Sequence, residues 1–226
     1  MLYALTRFVC LTLFRVVWRG KVLGREHIPA SGPVILASNH LSFIDSIVIP
    51  LAVSGRRVVF LAKAEYWEGK SLASLPRRLF FRTFDAVPVQ REQSDAQASL
   101  QLALEVLGRG DAFGIYPEGT RSRDGRLHRG RTGVGWLAIA AGAPVVPVGL
   151  VGTDKVQPIG TNIPRVHRLH VSFGPPVRPQ DYEHLPPGRA RRAITDDVMD
   201  AVAALSEQVR AQEYNDSGAR RSTDEG

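Results

Sequence analysis

The sequence predicts an α/β sandwich, a largely parallel sheet flanked by helices, with an N-terminal interfacial helix ahead of it. Three observations carry that expectation. Short, largely apolar runs of strand length, at residues 34–37, 57–62, 112–116 and 144–151, alternate with longer segments of helical period. The first of those runs, 34–37, reads as a short buried strand. The first 19 residues are apolar, with arginines gathered on one side.

Bulk composition sets the frame for these elements. A chain of 226 residues, 44% hydrophobic and 23% charged, has enough apolar side chain for one packed domain. The net charge of +7 calls for an acidic partner, either a phosphate-rich molecule or an anionic surface. Of the 29 basic residues only Lys21, Lys63, Lys70 and Lys155 are lysines; the rest are arginines, whose planar fork suits phosphate oxygens. The single cysteine, Cys10, leaves no intramolecular disulfide and no thiolate-rich metal site. Its apolar neighbours mark it as a small hydrophobe, and a reducing compartment fits.

Residues 1–19 form the first expected unit. Arg7 and Arg15 interrupt the segment, and its uncharged run at 8–14 falls far short of the roughly 20 residues of a spanning helix. No clean apolar stretch with a small-residue cleavage site marks a secretory leader. On a helical wheel Arg7, Arg15 and Arg19 share one third of the circumference, opposite Leu2, Leu5, Val9, Leu13, Val16 and Val17. A basic stripe over an apolar face describes a helix lying in a membrane interface, and Tyr3 and Trp18 are interfacial residue types. A terminal helix docked on the protein's own core has the same pattern.

The remaining elements follow in order. Residues 29–33 make a turn, and 34–37 a buried strand running into Asn39-His40. A helix is expected at 42–51 and a strand at 57–62. Residues 66–84 mix aromatic and basic side chains, which fits either a second interfacial patch or a core helix with a solvated face. Residues 87–90 are extended. A helix at 94–107 has Ser94 as its N-cap and Gly108 and Gly110 at its end. Then come a strand at 112–116, a small-residue helix at 133–141, a strand at 144–151 interrupted by Pro147, another at 168–173, and an amphipathic helix at 190–210. The polar residues from 212 onward read as disordered. The domain division is therefore an interfacial helix at 1–19, the main domain at 20–210 and a tail at 211–226.

Two segments carry chemistry. In the first, His40 follows a buried strand and Asp45 lies five residues on. An imidazole accepts a proton near neutral pH, and a carboxylate holds the tautomer that lets it do so. Five residues on one helix would point the two side chains apart. They meet only if His40 lies in the loop and Asp45 in the first helical turn. Ser42-x-x-Asp45 also matches a capping box, in which Asp45 simply satisfies the start of the helix. The second segment, Tyr116-Pro-Glu-Gly-Thr-Arg-Ser122, ends another apolar strand. Ligands bind at the carboxyl ends of such strands. Gly119 permits close backbone approach, while Thr120 and Arg121 bring phosphate-type donors. Arg123, Arg126, Arg129 and Arg131 continue a basic run.

Taken together, Asn39-His40-x4-Asp45, Val87-Pro-Val-Gln-Arg91, Tyr116–Ser122 and Val145-Val-Pro-Val148 resemble, in order, the four signature blocks of the glycerolipid acyltransferases. The likeness is nearest to the 1-acyl-sn-glycerol-3-phosphate acyltransferase branch and covers roughly residues 20 to 180. Tyr116 stands where Phe is usual, and Asp85-Ala86 where a Gly often opens the second block.

The resemblance implies roles for individual residues. His40 would be the general base and Asp45 its orienting carboxylate. Glu118, Gly119, Thr120 and Arg121 would bind the phosphate head group, with Lys63 and Arg91 as further phosphate ligands. Val146-Pro147 would shape the acyl or donor channel. The acceptor would be a lysophospholipid and the co-substrate an acyl-CoA or acyl carrier protein thioester, with no cofactor and no metal. Backbone N–H groups near Ser42 or at Gly119 are candidates for the oxyanion. The expected partner surface is an anionic membrane, at the cytoplasmic face of the cell membrane, and not nucleic acid. Acylation of glycerol-3-phosphate or another lysolipid, thioester hydrolysis, and a non-catalytic basic membrane-binding module remain alternatives at this point.

Overall fold

The computed structural model describes residues 8–53, 55–63, 87–89, 96–161 and 163–215. Seven strands form one sheet: β1 (Lys21–Leu23), β2 (Val34–Ser38), β3 (Val58–Lys63), β4 (Val87–Val89), β5 (Ala112–Ile115), β6 (Val145–Val151) and β7 (His170–Phe173). Their order across the sheet is β1-β7-β6-β2-β5-β3-β4. Strands β6, β2, β5, β3 and β4 run parallel; β7 is antiparallel to β6, and β1 is parallel to β7. The helices are α1 (residues 8–17), α2 (Asp45–Ala52), α3 (Ala96–Gly108), α4 (Gly133–Ala141), α5 (Thr153–Val156) and α6 (Pro187–Ser206). The expected layered, mostly parallel sandwich is what the chain forms.

Strand β2 shows why. All five residues are buried, and alternate side chains enter opposite cores. Val34 and Leu36 pack with α2 and β6 residues on one face. Ile35 and Ala37 pack with α4 and α6 residues on the other. A strand with two covered faces reads as an unbroken apolar run, here Val34 to Ala37 with Ser38 buried at its end, and each large apolar side chain so buried contributes about 1.5–3 kcal/mol.

Pro147 does not interrupt β6. Its carbonyl faces the β7 side, where it accepts from the N–H of Gly174 at 2.9 Å. The β6–β7 ladder begins one residue later, at Val148 opposite Phe173, so the N–H that proline lacks has no strand partner to leave unpaired. On the same strand Gly149 lets α6 approach closely. A Cβ there would lie 2.4 Å from the Cβ of Leu205.

Three other expectations change. Helix α2 begins at Asp45 rather than 42, because residues 41–44 form the turn that carries the His40 loop. Helix α6 starts at Pro187 and stops at Ser206, with Glu207 in the left-handed conformation (φ 58°). Residues 207–215 then run back as a strap instead of beginning a loose tail. The N–H of Leu127 donates to the Val209 carbonyl, that of Ala211 to Leu127, and that of Arg129 to Glu213. Residues 216–226 lie outside the described residues, as does the aromatic and basic segment at 66–84.

Helix α1, closing in a π-helical turn at Leu13–Val17, divides its apolar residues between two environments. Phe14 and Trp18 are buried against the sheet, so Trp18 is a core residue and not an interfacial one. Phe8, Val9, Leu13 and Val16 face outward. Among the described residues no helix is long and apolar enough to cross a membrane.

Candidate active site

Strands β2 and β5 lie side by side with Ala37 opposite Ile115, so both motif-bearing loops leave the same edge of the sheet. Asn39 fixes the first loop. Its side-chain amide replaces a strand partner for Leu150 on β6, donating to the Leu150 carbonyl (2.9 Å) and accepting from its N–H (2.8 Å). His40 follows outside any element, and Asp45 is the first residue of α2. Their side chains meet: His40 Nδ1 lies 2.9 Å from Asp45 Oδ2.

The same carboxylate oxygen accepts the backbone N–H groups of Leu41 (2.7 Å) and Ser42 (2.8 Å). The dyad and the cap are thus served by one atom, and the two readings of the Ser42–Asp45 spacing both hold in part. The Ser42 hydroxyl departs from a capping box, donating to the Gln157 carbonyl at 2.7 Å. Asp45 is fully buried, and its Oδ1 has no partner among the described residues. The two backbone N–H groups on Oδ2 mark that oxygen as an acceptor, so Nδ1 donates to it and the Nε2 lone pair is left for chemistry.

Tyr116 sets the plane of the imidazole. The two rings stack with centroids 3.8 Å apart and 8° between planes, and Phe60 lies behind the tyrosine at 5.4 Å. The Tyr116 hydroxyl is hydrogen-bonded to Ser46 Oγ at 2.7 Å. Burial pushes the phenol well above its ordinary range, the charge of Asp45 adds to this, and the Ser46 bond opposes it. Tyr116 therefore stays neutral and serves as a platform.

Glu118 points inward. It is 1% exposed, and its two oxygens accept from the backbone N–H groups of His40 (3.0 Å) and His128 (3.0 Å). Burial raises its carboxyl to about 7, with those two hydrogen bonds pulling the other way. These contacts tie the two signature loops together, and the bond from the Ser122 N–H to the His40 carbonyl (2.8 Å) reinforces them. A buried carboxylate committed to two backbone donors is a brace, not a ligand for a phosphate anion.

Gly119 is exposed and holds φ at 81°, a left-handed turn that favours glycine. Its N–H turns back to the Tyr116 carbonyl. Since the N–H groups of Leu41 and Ser42 are held by Asp45, none of these expected oxyanion donors is free. Thr120 and Arg121 are partly exposed on the same loop, and Asn215 of the strap donates to both of their carbonyls. Of the basic run, Arg126 pairs with Asp124 and Glu213, while Arg129 and Arg131 flank the ring of Tyr214.

Lys63 closes β3 at the same edge of the sheet, paired with Val89 of β4; its side chain and all of Arg91 lie outside the described residues. Beside Tyr116 and Gly119 opens a cavity of about 850 Å³, walled largely by apolar residues including Phe60, Leu100, Phe113, Val134 and Trp136. Val146 is buried in the sheet, and neither it nor Pro147 lines that cavity. Among the described residues no cluster of His, Cys, Asp or Glu could hold a metal ion.

Comparison with known proteins bears on this arrangement. The family model described as Acyltransferase matches residues 19–151. The 1-acyl-sn-glycerol-3-phosphate acyltransferase of Bacillus subtilis (strain 168) is 26% identical over 190 residues, spanning 84% of this chain and 89% of that one. The human 1-acyl-sn-glycerol-3-phosphate acyltransferase alpha is 32% identical over 135 residues, 58% of this chain and 44% of the relative. The chloroplastic enzyme BAT2 of Brassica napus is 31% identical over 146 residues, which cover 64% of this chain and 40% of that longer protein. In three dimensions the fold matches the crystal structure of the 1-acyl-sn-glycerophosphate (LPA) acyltransferase PlsC from Thermotoga maritima. The TM-score is 0.68 at 24% identity, over 90% of this chain and 80% of that one.

Proposed function

The chain belongs to the acyltransferase family, and we propose that it transfers an acyl chain from a thioester to the free hydroxyl of 1-acyl-sn-glycerol-3-phosphate, giving phosphatidic acid. The observation that carries the mechanism is the 2.9 Å contact from His40 Nδ1 to Asp45 Oδ2. It leaves Nε2 to take the proton of the acceptor hydroxyl as that oxygen attacks the thioester carbonyl. Asp45 then stabilises the imidazolium. The thiolate leaves readily, its conjugate thiol having a pKa of about 8.5. After collapse of the tetrahedral intermediate the proton passes from His40 to the thiolate or to solvent.

Arg121, with Lys63 and Arg91 as further ligands, is assigned to the acceptor phosphate, and Thr120 supplies a hydroxyl beside it. The apolar cavity next to Tyr116 has the size of a small-molecule site and suits an acyl chain. Phe8, Val9, Leu13 and Val16, exposed along α1, support peripheral attachment at the cytoplasmic face of the membrane. An acyl-CoA or acyl carrier protein thioester is the donor, and no cofactor is required.

Mass spectrometry of products from a mixed pool of lysolipids and acyl donors tests the reading. Phosphatidic acid should form, and His40→Ala should abolish nearly all of it. Acylated glycerol-3-phosphate, another acylated lysolipid, or free fatty acid as the main product would replace the proposed acceptor.

A further inference from the structure

A second recess lies on the edge of the sheet that carries His40. Asn39 grips Leu150 near the end of β6, and past the next residue, Val151, the chain enters a strongly basic hollow. Arg19, Lys21, Lys155, His167, Arg168 and His170 surround a cavity of about 420 Å³ there. They come from the end of α1, the start of β1, helix α5 and the entry to β7. No Asp or Glu lines the hollow, and none of its lysines or arginines forms an ion pair among the described residues. Arg121, by contrast, follows β5 on the opposite flank of β2.

Four cations and two imidazoles in one concavity focus a positive potential that favours a bound anion. Arg19 also holds φ at 45°, a conformation few non-glycine residues adopt, where the chain turns from α1 into β1 beside Lys21. The surroundings say which anion. Val16, Ile163 and Val166, exposed at 68%, 80% and 78%, precede Arg19 and His167 in the chain. Basic groups with exposed aliphatic residues close by in the chain match the level of a bilayer where head groups meet acyl chains. A phosphate free in solution would have no use for that apolar margin.

We propose that this recess binds the phosphate of an anionic membrane phospholipid other than the acceptor, so that a bound lipid holds the His40 edge against the bilayer. The inference rests on the proposed lipid acylation only in requiring a membrane, and vesicle binding reads it without turnover.

The test compares the full chain with Lys21→Gln/Lys155→Gln/Arg168→Gln and with a charge-matched control, Arg109→Gln/Arg178→Gln/Arg189→Gln. The control residues are exposed; Arg109 precedes β5, and Arg178 follows Val177, which pairs with Val145 at the start of β6. Co-sedimentation uses vesicles of phosphatidylcholine alone or with one third phosphatidylglycerol. The recess variant should lose roughly tenfold or more of its partitioning onto the anionic vesicles, and the control no more than about twofold. Both should match the parent on pure phosphatidylcholine and in acyl transfer to micellar acceptor. Lys155→Glu alone, at the exposed position of the short helix α5, should weaken anionic-vesicle binding severalfold. Equal losses in the two triple variants would overturn the site in favour of diffuse charge. So would intact vesicle binding with a raised KM for acyl-CoA, which would make the recess a donor site. Phosphatidylglycerol-dependent binding in a protein that makes no phosphatidic acid would uphold the recess and overturn only the acceptor.

Discussion

Asn39 and Leu150 are joined by two hydrogen bonds that a strand neighbour would otherwise supply, 2.9 Å to the carbonyl and 2.8 Å from the N–H. Asn39 Nδ2 also donates to the Gln208 side chain at 2.7 Å, so one buried amide joins β2, β6 and the strap. Asn39→Ala strands both Leu150 groups without partners. It should lower unfolding free energy by about 2–4 kcal/mol in urea titrations. A loss below about 1 kcal/mol would mean that water replaces the amide.

Asp45→Asn should lower kcat by roughly 10²–10⁴-fold, because a neutral amide cannot stabilise the imidazolium that forms on His40. Single-turnover kinetics would isolate the chemical step. A kcat within tenfold of the parent would remove Asp45 from the mechanism.

Glu118 makes stability depend on pH with a definite sign. Its folded-state value, raised from 4.5 to about 7, means that the native state binds the proton more tightly than the unfolded chain. The resulting stabilisation is fully present below pH 4.5 and is lost as pH rises to about 7, a change of about 3 kcal/mol. Glu118→Gln should flatten that slope. Identical slopes for parent and variant in urea titrations across this window would show that other groups set it.

Tyr116→Phe keeps the ring stacked on His40 and gives up the bond to Ser46. Its kcat should stay within about threefold of the parent, while Tyr116→Leu should lose roughly tenfold as the imidazole gains freedom. Equal rates for the Leu and Phe variants would show that the stack does not position His40.

Much of the fold was legible because burial leaves a pattern. Four of the five positions of β2 are apolar, helix α4 runs over residues 133–141 as expected, and the His40–Asp45 spacing could bring the two side chains together only across a loop-to-helix junction. The features that escaped notice are those held by polar or distant contacts. Strand β1 is three residues long, with Lys21 and Leu23 exposed, and has no apolar signature. Residues 207–215 are too polar to suggest order, and they are held largely by backbone hydrogen bonds to Leu127 and Arg129. The Pro-Glu-Gly string reads as a turn carrying a ligand; only the burial of Glu118 and its bond to the His128 N–H reveal a brace. The basic hollow draws on three separate stretches of chain, at residues 19–21, 151–155 and 167–170, so no local window contains it.

The strap has a consequence for how the molecule comes into being. The loop after β5 finds its partners at Val209, Glu213 and Asn215, more than 80 residues further along the chain. During synthesis Thr120 and Arg121 lack this outer support until those later residues emerge from the ribosome, and the Asn39 amide waits likewise for Gln208. Both signature loops are thus secured last and by the same short strap, so a chain cut before residue 208 would lose an anchor of each at once.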